Sequence, residues 1–208
     1  MRKFYYFLFV LIFCATIGQA QTFTRMQSWG LDFEAIAWID ENRGVIVGER
    51  LIAYTEDGGL SWKEVLQEFD FRFIDLIFLN ENLGIAVGEG GRIFRTSDGG
   101  MSWDTMLSGT DKNLLSLEKT GENKLIAVGQ DGVILQSTDS GLSWSSLNTG
   151  FTIQLNQVAF QENGLGLICG NQGWVAKTQN GGASWEVLST GIAENLNTIE
   201  IAPSGRIY

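Results

Sequence analysis

An eight-residue phrase recurs four times in this chain, at residues 55–62, 96–103, 137–144 and 178–185, and each copy ends on tryptophan. Trp62, Trp103, Trp144 and Trp185 are each 41 residues apart. Four copies at an unvarying period restrict the chain to an array of one supersecondary unit, since a unit of that size buries its apolar face only by stacking on copies of itself. Aligning the copies divides each unit into four short apolar segments. The first segments are 35–39, 74–79, 114–117 and 157–160. The second are 45–48, 85–88, 125–129 and 167–170, ending on glycine in every copy. The third are 51–54, 92–95, 133–136 and 174–177, and the tryptophan opens a fourth, as in 62–66 and 185–188. Short strands separated by Gly, Asn and Asp turns at intervals of about 8–12 residues predict an all-β fold. Four strands per repeat predict a β-propeller blade.

The phrase itself reads as the turn between the third and fourth strands. Asp57, Asp98 and Asp139 are placed to accept hydrogen bonds from turn N–H groups, as short carboxylates do. Asn180 stands at that position in the fourth copy. Gly59, Gly100, Gly141 and Gly182 provide a positive φ that a Cβ would penalise. Ser61, Ser102, Ser143 and Ser184 close the turn with a hydroxyl. The tryptophan ring is expected to wedge between blades while its N–H finds a partner.

The pattern Ser/Thr-x-Asp-x-Gly-x-Ser/Thr-Trp resembles the Asp-box, or BNR repeat, of β-propellers. The longer stretch from Ala86 through Gly88 and Asp98 to Trp103 is similar to the photosystem II assembly and stability factor family. That resemblance extends over residues 21–208 and implies a secreted or lumenal propeller of seven blades, with assembly assistance as its activity and a photosystem II reaction-centre precursor as its partner. Two departures stand out: Asn180 replaces aspartate, and the turn after Gly48 is one residue shorter than its equivalents. Residues 196–208 read as the first strand and turn of a fifth unit. The expectation is four complete blades plus part of a fifth, a piece of a six- or seven-bladed ring that is incomplete at the C-terminus. A five-bladed ring is the competing expectation.

Residues 1–20 read as a signal peptide: Arg2 and Lys3 precede an apolar run at 4–17, and Gly18-Gln19-Ala20 suits a signal peptidase. A lipoprotein would need Cys14 as the lipidated residue, but Phe13 is bulky where such sites take a small side chain. Cleavage before Gln21 leaves an exported propeller domain at 21–208 with no segment apolar for long enough to span a membrane. The full chain carries a net charge of −10; the leader holds two of the basic residues and none of the acidic ones, so the remainder stands at −12. That balance argues against nucleic acid and anionic lipid as partners. Histidine is absent, which excludes Ser-His-Asp catalysis and His-ligated metal sites. Cys169 occupies the place of Val47, Val87 and Val128 and reads as a small buried hydrophobe. No cofactor is implied.

Function must lie in what does not repeat. The Asp-box carboxylates recur in every blade, whereas an active site is one convergent place, so the reading is non-catalytic. The turns after the second strands and the loops joining blades vary most between copies. They carry Arg50, Arg72, Arg92, Phe69, Phe71, Phe151 and Trp174, the aromatic-plus-arginine mixture of binding hot spots. The expected partner is a protein or peptide. A glycan-binding or glycan-cleaving propeller, with Phe151 and Trp174 as stacking platforms, is one alternative; a cell-surface adhesion or sorting array is the other.

Overall fold

A computed structural model describes residues 32–66, 70–202, 204 and 206–208. The expected signal peptide at 1–20 and Phe69 lie outside the described residues, which contain four antiparallel sheets of four strands each. The first sheet is β1 (Phe33–Trp38), β2 (Gly44–Gly48), β3 (Leu51–Thr55) and β4 (Lys63–Leu66). The second is β5 (Phe73–Phe78), β6 (Gly84–Gly88), β7 (Ile93–Thr96) and β8 (Asp104–Met106). The third is β9 (Leu114–Lys119), β10 (Leu125–Gly129), β11 (Ile134–Ser137) and β12 (Ser145–Ser146). The fourth is β13 (Leu155–Phe160), β14 (Gly166–Gly170), β15 (Val175–Thr178) and β16 (Glu186–Leu188). Within each sheet the strands lie in chain order, and the first strands β1, β5, β9 and β13 pack side by side as the innermost wall. This is the arrangement of propeller blades.

Two boundaries differ from the sequence reading. In the first and fourth blades the inner strand begins two residues earlier, at Phe33 and Leu155, and in the second one residue earlier, at Phe73, because a bulge lets it bend and keep pairing with the glycine that ends the second strand. The tryptophan precedes the fourth strand and closes the turn instead of opening the strand.

The core lies between blades. All five residues of β2, β6, β10 and β14 are buried, as expected of strands covered on both faces. Val45, Val47 and Ile52 of the first blade pack on Phe73, Ala86, Phe94 and Trp103 of the second. Trp144 fills the next seam with Ile85, Val87 and Leu125, and Trp185 the one after with Ile126, Val128 and Ile168. Gly100 sits at φ +93 where a Cβ would also run into Val45 of the preceding blade. Conformation and space therefore both demand glycine there. Cys169 is wholly buried, and burial pushes its thiol up to about 11.

A side-chain latch crosses each later seam. The innermost strand is an edge strand whose outward N–H groups lack a ladder partner. Asp75 Oδ2 accepts from Leu117 N at 2.8 Å, Ser116 Oγ from Val158 N at 3.4 Å, and Gln157 Oε1 from Ile199 N at 2.7 Å. These three residues occupy one bulge position in successive blades, and the first blade has Ala35 there. Beyond β16, buried Ile199 packs against Leu167, Cys169 and Val175, while Glu200 and Tyr208 exchange backbone hydrogen bonds of 3.1 and 3.0 Å. The inner hairpin of a blade begins again at this point.

Candidate binding face

The two ends of each blade differ in chemistry. At one end the turn between first and second strands meets the Asp-box: Gly58 N donates to Asn42 O, Gly99 N to Asn82 O, Ser140 N to Asn123 O and Gly181 N to Gly164 O. Thr55 Oγ1 donates to Asp57 Oδ1 at 2.8 Å and accepts from Gly59 N at 3.0 Å. Asp57 then accepts from Ser61 N at 2.8 Å and from Ser61 Oγ at 2.6 Å. The same bonds recur around Asp98 and Asp139. In the fourth blade the last bond reverses: Asn180 Nδ2 donates to Ser184 Oγ at 2.9 Å. The buried hydroxyls of Thr55, Thr96, Ser137 and Thr178 are the hub of each network. A hydroxyl residue opens the phrase in all four copies, where the pattern alone gives it no role.

With both oxygens of each carboxylate engaged, the Asp-box aspartates serve as turn caps. Hydrogen bonds from the Ser61 hydroxyl and N–H lower Asp57 to about 2. The Ser143 hydroxyl and N–H likewise lower Asp139. Burial pushes Asp98 upward, but bonds from Ser102 and Thr96 outweigh it and leave it lowered. A depressed native pKa contributes stability that is present above the unfolded value near 4 and lost as pH falls toward 2. Asn180 does not titrate. Replacing Asn180→Asp should therefore enlarge the drop in melting temperature between pH 7 and pH 3, measured by circular dichroism; an unchanged drop contradicts the cap assignment.

At the other end, each turn between second and third strands is held by the loop entering the next blade or its own. Glu49 N donates to Asp32 O, Glu89 N to Arg72 O, Gln130 N to Asn113 O and Asn171 N to Gln154 O, all within 2.8–3.1 Å. Side chains add to this: Gly90 N donates to Asn113 Oδ1 at 2.9 Å and Gln172 N to Asn195 Oδ1 at 3.0 Å. The turn tips have positive φ, yet only the second blade uses glycine, Gly90 at +65. Arg50, Asp131 and Gln172 hold the same conformation at +59, +54 and +58. Non-glycine residues in this region are strained by about 1–2 kcal/mol. Asp131→Gly and Gln172→Gly should each raise stability by roughly 0.5–1 kcal/mol in urea denaturation; destabilisation would show that their side chains hold the turn.

This end is polar and mixed in charge. Arg72 Nη1 meets Glu34 Oε1 at 3.0 Å and Lys112 Nζ meets Asp131 Oδ2 at 2.8 Å. The exposed Arg92 guanidinium lies over the Phe71 ring, 4.3 Å from its centroid. Beside it a shallow depression of about 560 Å³ is lined by Arg92, Met106, Leu107, Ser108 and Thr110. Among the described residues no group of His, Cys, Asp and Glu is arranged to hold a metal ion.

Residues 62–153 match the family model described as Photosynthesis system II assembly factor YCF48. The sequence resemblance and this match point to one family. Among solved structures, "YCF48 bound to D1 peptide" aligns with TM-score 0.69 at 23% identity, covering 85% of this chain and 59% of that one. YCF48 from Cyanidioschyzon merolae aligns with TM-score 0.60 at 21% identity, covering 81% and 58%. An ancestral GH74 enzyme aligns with TM-score 0.70 at 18% identity, but the chain spans only 28% of it. At these identities the structural likenesses establish the propeller fold, and the chain spans somewhat under three fifths of the YCF48 structures. No curated protein matches the chain.

On this YCF48-like propeller the residues expected to bind a partner separate into two kinds. Arg50 and Arg92 are exposed on the face, and Arg72 is half-buried. Phe71 is not available: at 7% exposure it packs against Phe73 (4.9 Å between centroids) and Phe94 (5.8 Å). The bridge between Glu49 and Arg72 sets the direction of this loop and turns Phe71 into the core. Phe151 and Trp174 are half-buried and meet edge to face at 4.7 Å, so each covers part of the other. The carboxylates of Glu89 and Asp131 on this face are separately engaged, Glu89 by Arg72 N at 3.0 Å and Asp131 by Lys112. Glu34, the anchor of Arg72, had no sequence signal.

Proposed function

We propose that this protein is an exported, non-catalytic propeller that captures a protein or peptide on the face built from its second-to-third-strand turns and blade-joining loops, in the manner of a photosystem II assembly factor. The family match over residues 62–153 carries the reading, and a relative whose structure holds D1 peptide supports a peptide as the ligand class. The exposed guanidinium groups of Arg50 and Arg92 would meet ligand carboxylates, with the depression beside Arg92 open to an adjoining side chain. The basic and apolar start of the chain, followed by Gly18-Gln19-Ala20, supports export. Both oxygens of each Asp-box carboxylate are held by their own turn, which supports a role without hydrolysis.

Calorimetric titration with a synthetic D1 peptide tests this. Arg50→Ala with Arg92→Ala should weaken binding by at least about tenfold, since two charge-assisted contacts of roughly 1.5–3 kcal/mol each are removed. The melting temperature should fall by only a few degrees, since the stack of Arg92 on Phe71 is a surface contact worth about 0.5–1 kcal/mol. Unaltered affinity, or release of sugar from a plant glucan by the same preparation, would overturn the reading.

A further inference from the structure

The Asp-box end of the propeller carries two exposed rows that lie outside the Asp-box hydrogen-bond networks. The sixth residue of the phrase is Leu60, Met101 and Leu142 in the first three blades, 68%, 53% and 58% exposed, with Ala183 in the fourth. The turn between first and second strands, which packs on the Asp-box, carries Glu41, Glu81, Glu122 and Glu162, all exposed. Each of the first three blades therefore presents one aliphatic side chain and one carboxylate on the same rim. These aliphatic side chains recur at one repeat position beside a carboxylate, an apolar-and-charged composition that a partner segment can cover.

The rim also shows what it accepts. Arg43 Nε binds Asp40 at 2.7 Å and its Nη2 reaches Glu81 of the next blade at 3.4 Å, while Lys63 meets Glu56 at 2.7 Å. Among the described residues Glu41, Glu122 and Glu162 make no ion pair. A second copy presenting this same rim would set glutamate against glutamate, and the chain as a whole is at −10. The geometry points to a second docking face on the Asp-box rim, for a cationic partner segment that interleaves Arg or Lys with aliphatic side chains. It lies opposite the arginine-bearing face and is independent of it.

The test uses short fluorescein-labelled peptides, one alternating arginine with leucine and one alternating arginine with serine, followed by anisotropy. The Arg–Leu peptide should bind the protein at least about tenfold more tightly than the Arg–Ser peptide, as burial of a few aliphatic side chains supplies. The triple variant Leu60→Ser, Met101→Ser, Leu142→Ser should remove that preference. Glu41→Gln with Glu81→Gln, Glu122→Gln and Glu162→Gln should weaken both peptides and flatten the salt dependence. Arg50→Ala with Arg92→Ala should change neither. Equal affinity for the two peptides, or a preference that survives the serine variant, would overturn the proposal. So would concentration-dependent self-association abolished by the serine variant, which would assign the row to a second copy.

Discussion

Trp103→Ala should lower the free energy of unfolding by about 3–5 kcal/mol, the cost of truncating a buried aromatic. The ring is 9% exposed and fills the seam between the first two blades, against Val45 and Val47 on one side and Ala86 on the other. Its edge meets Phe78 at 6.3 Å, and its N–H donates to Gly100 O at 3.0 Å. Truncation leaves a cavity that two packed sheets cannot close without sliding, and it also frees a buried carbonyl. Trp185→Ala provides the comparison. That ring occupies the equivalent seam, yet its buried N–H has no partner among the described residues. Removing it abolishes an unpaired donor as well as a ring, so its cost should be smaller by about 1 kcal/mol. Urea denaturation of the two variants checks the order; equal or inverted costs would show that the indole N–H bond does not contribute.

Asp75→Ala should cost about 2–5 kcal/mol, which is large for a side chain with so few apolar atoms. The carboxylate accepts from Leu76 N at 2.8 Å in its own strand and from Leu117 N at 2.8 Å across the seam. Alanine strands both donors in a dry place at about 1–3 kcal/mol each. Burial pushes Asp75 up in pKa, against the opposing effect of the Leu117 and Leu76 N–H groups and the Ser116 hydroxyl. Burial also raises Glu118, the Lys119 N–H opposes it, and the neighbouring charge of Asp75 raises it further. A raised native pKa means that stability from these two groups declines as pH rises through that value. The alanine variant should consequently lose the most relative to wild type at low pH and less near neutrality. Asp75→Ser borrows the latch of the next blade, where Ser116 holds Val158 N, and should recover part of the loss. If serine is no better than alanine, the seam is held by packing alone.

The repeat made the blade legible because its strictest positions are those where physics leaves least choice. Gly100 needs a positive φ and no Cβ, and Trp103 needs the seam. Strand starts were less legible because the bulge after Phe33, Phe73 and Leu155 adds a residue without breaking the apolar pattern. The latch was hidden for the opposite reason: Asp75, Ser116 and Gln157 do one job with three chemistries, so alignment sees variation where the structure shows a shared acceptor. Phe71 misled because an aromatic in a loop looks available until the bridge at Arg72 fixes its direction. Arg50 and Arg92 are exposed at the end of the blades opposite the Asp-boxes, and the turns that position them encode no particular ligand.

If the proposed function holds, binding belongs to the non-repeating turns and the Asp-boxes are framework. Hydrogen–deuterium exchange with and without D1 peptide tests it most directly, because backbone protection reports where a ligand sits. Protection is predicted at residues 49–51, 70–72 and 89–92, with the Asp-box turns at 55–62, 96–103 and 137–144 unchanged. Protection confined to the Asp-box turns would contradict it.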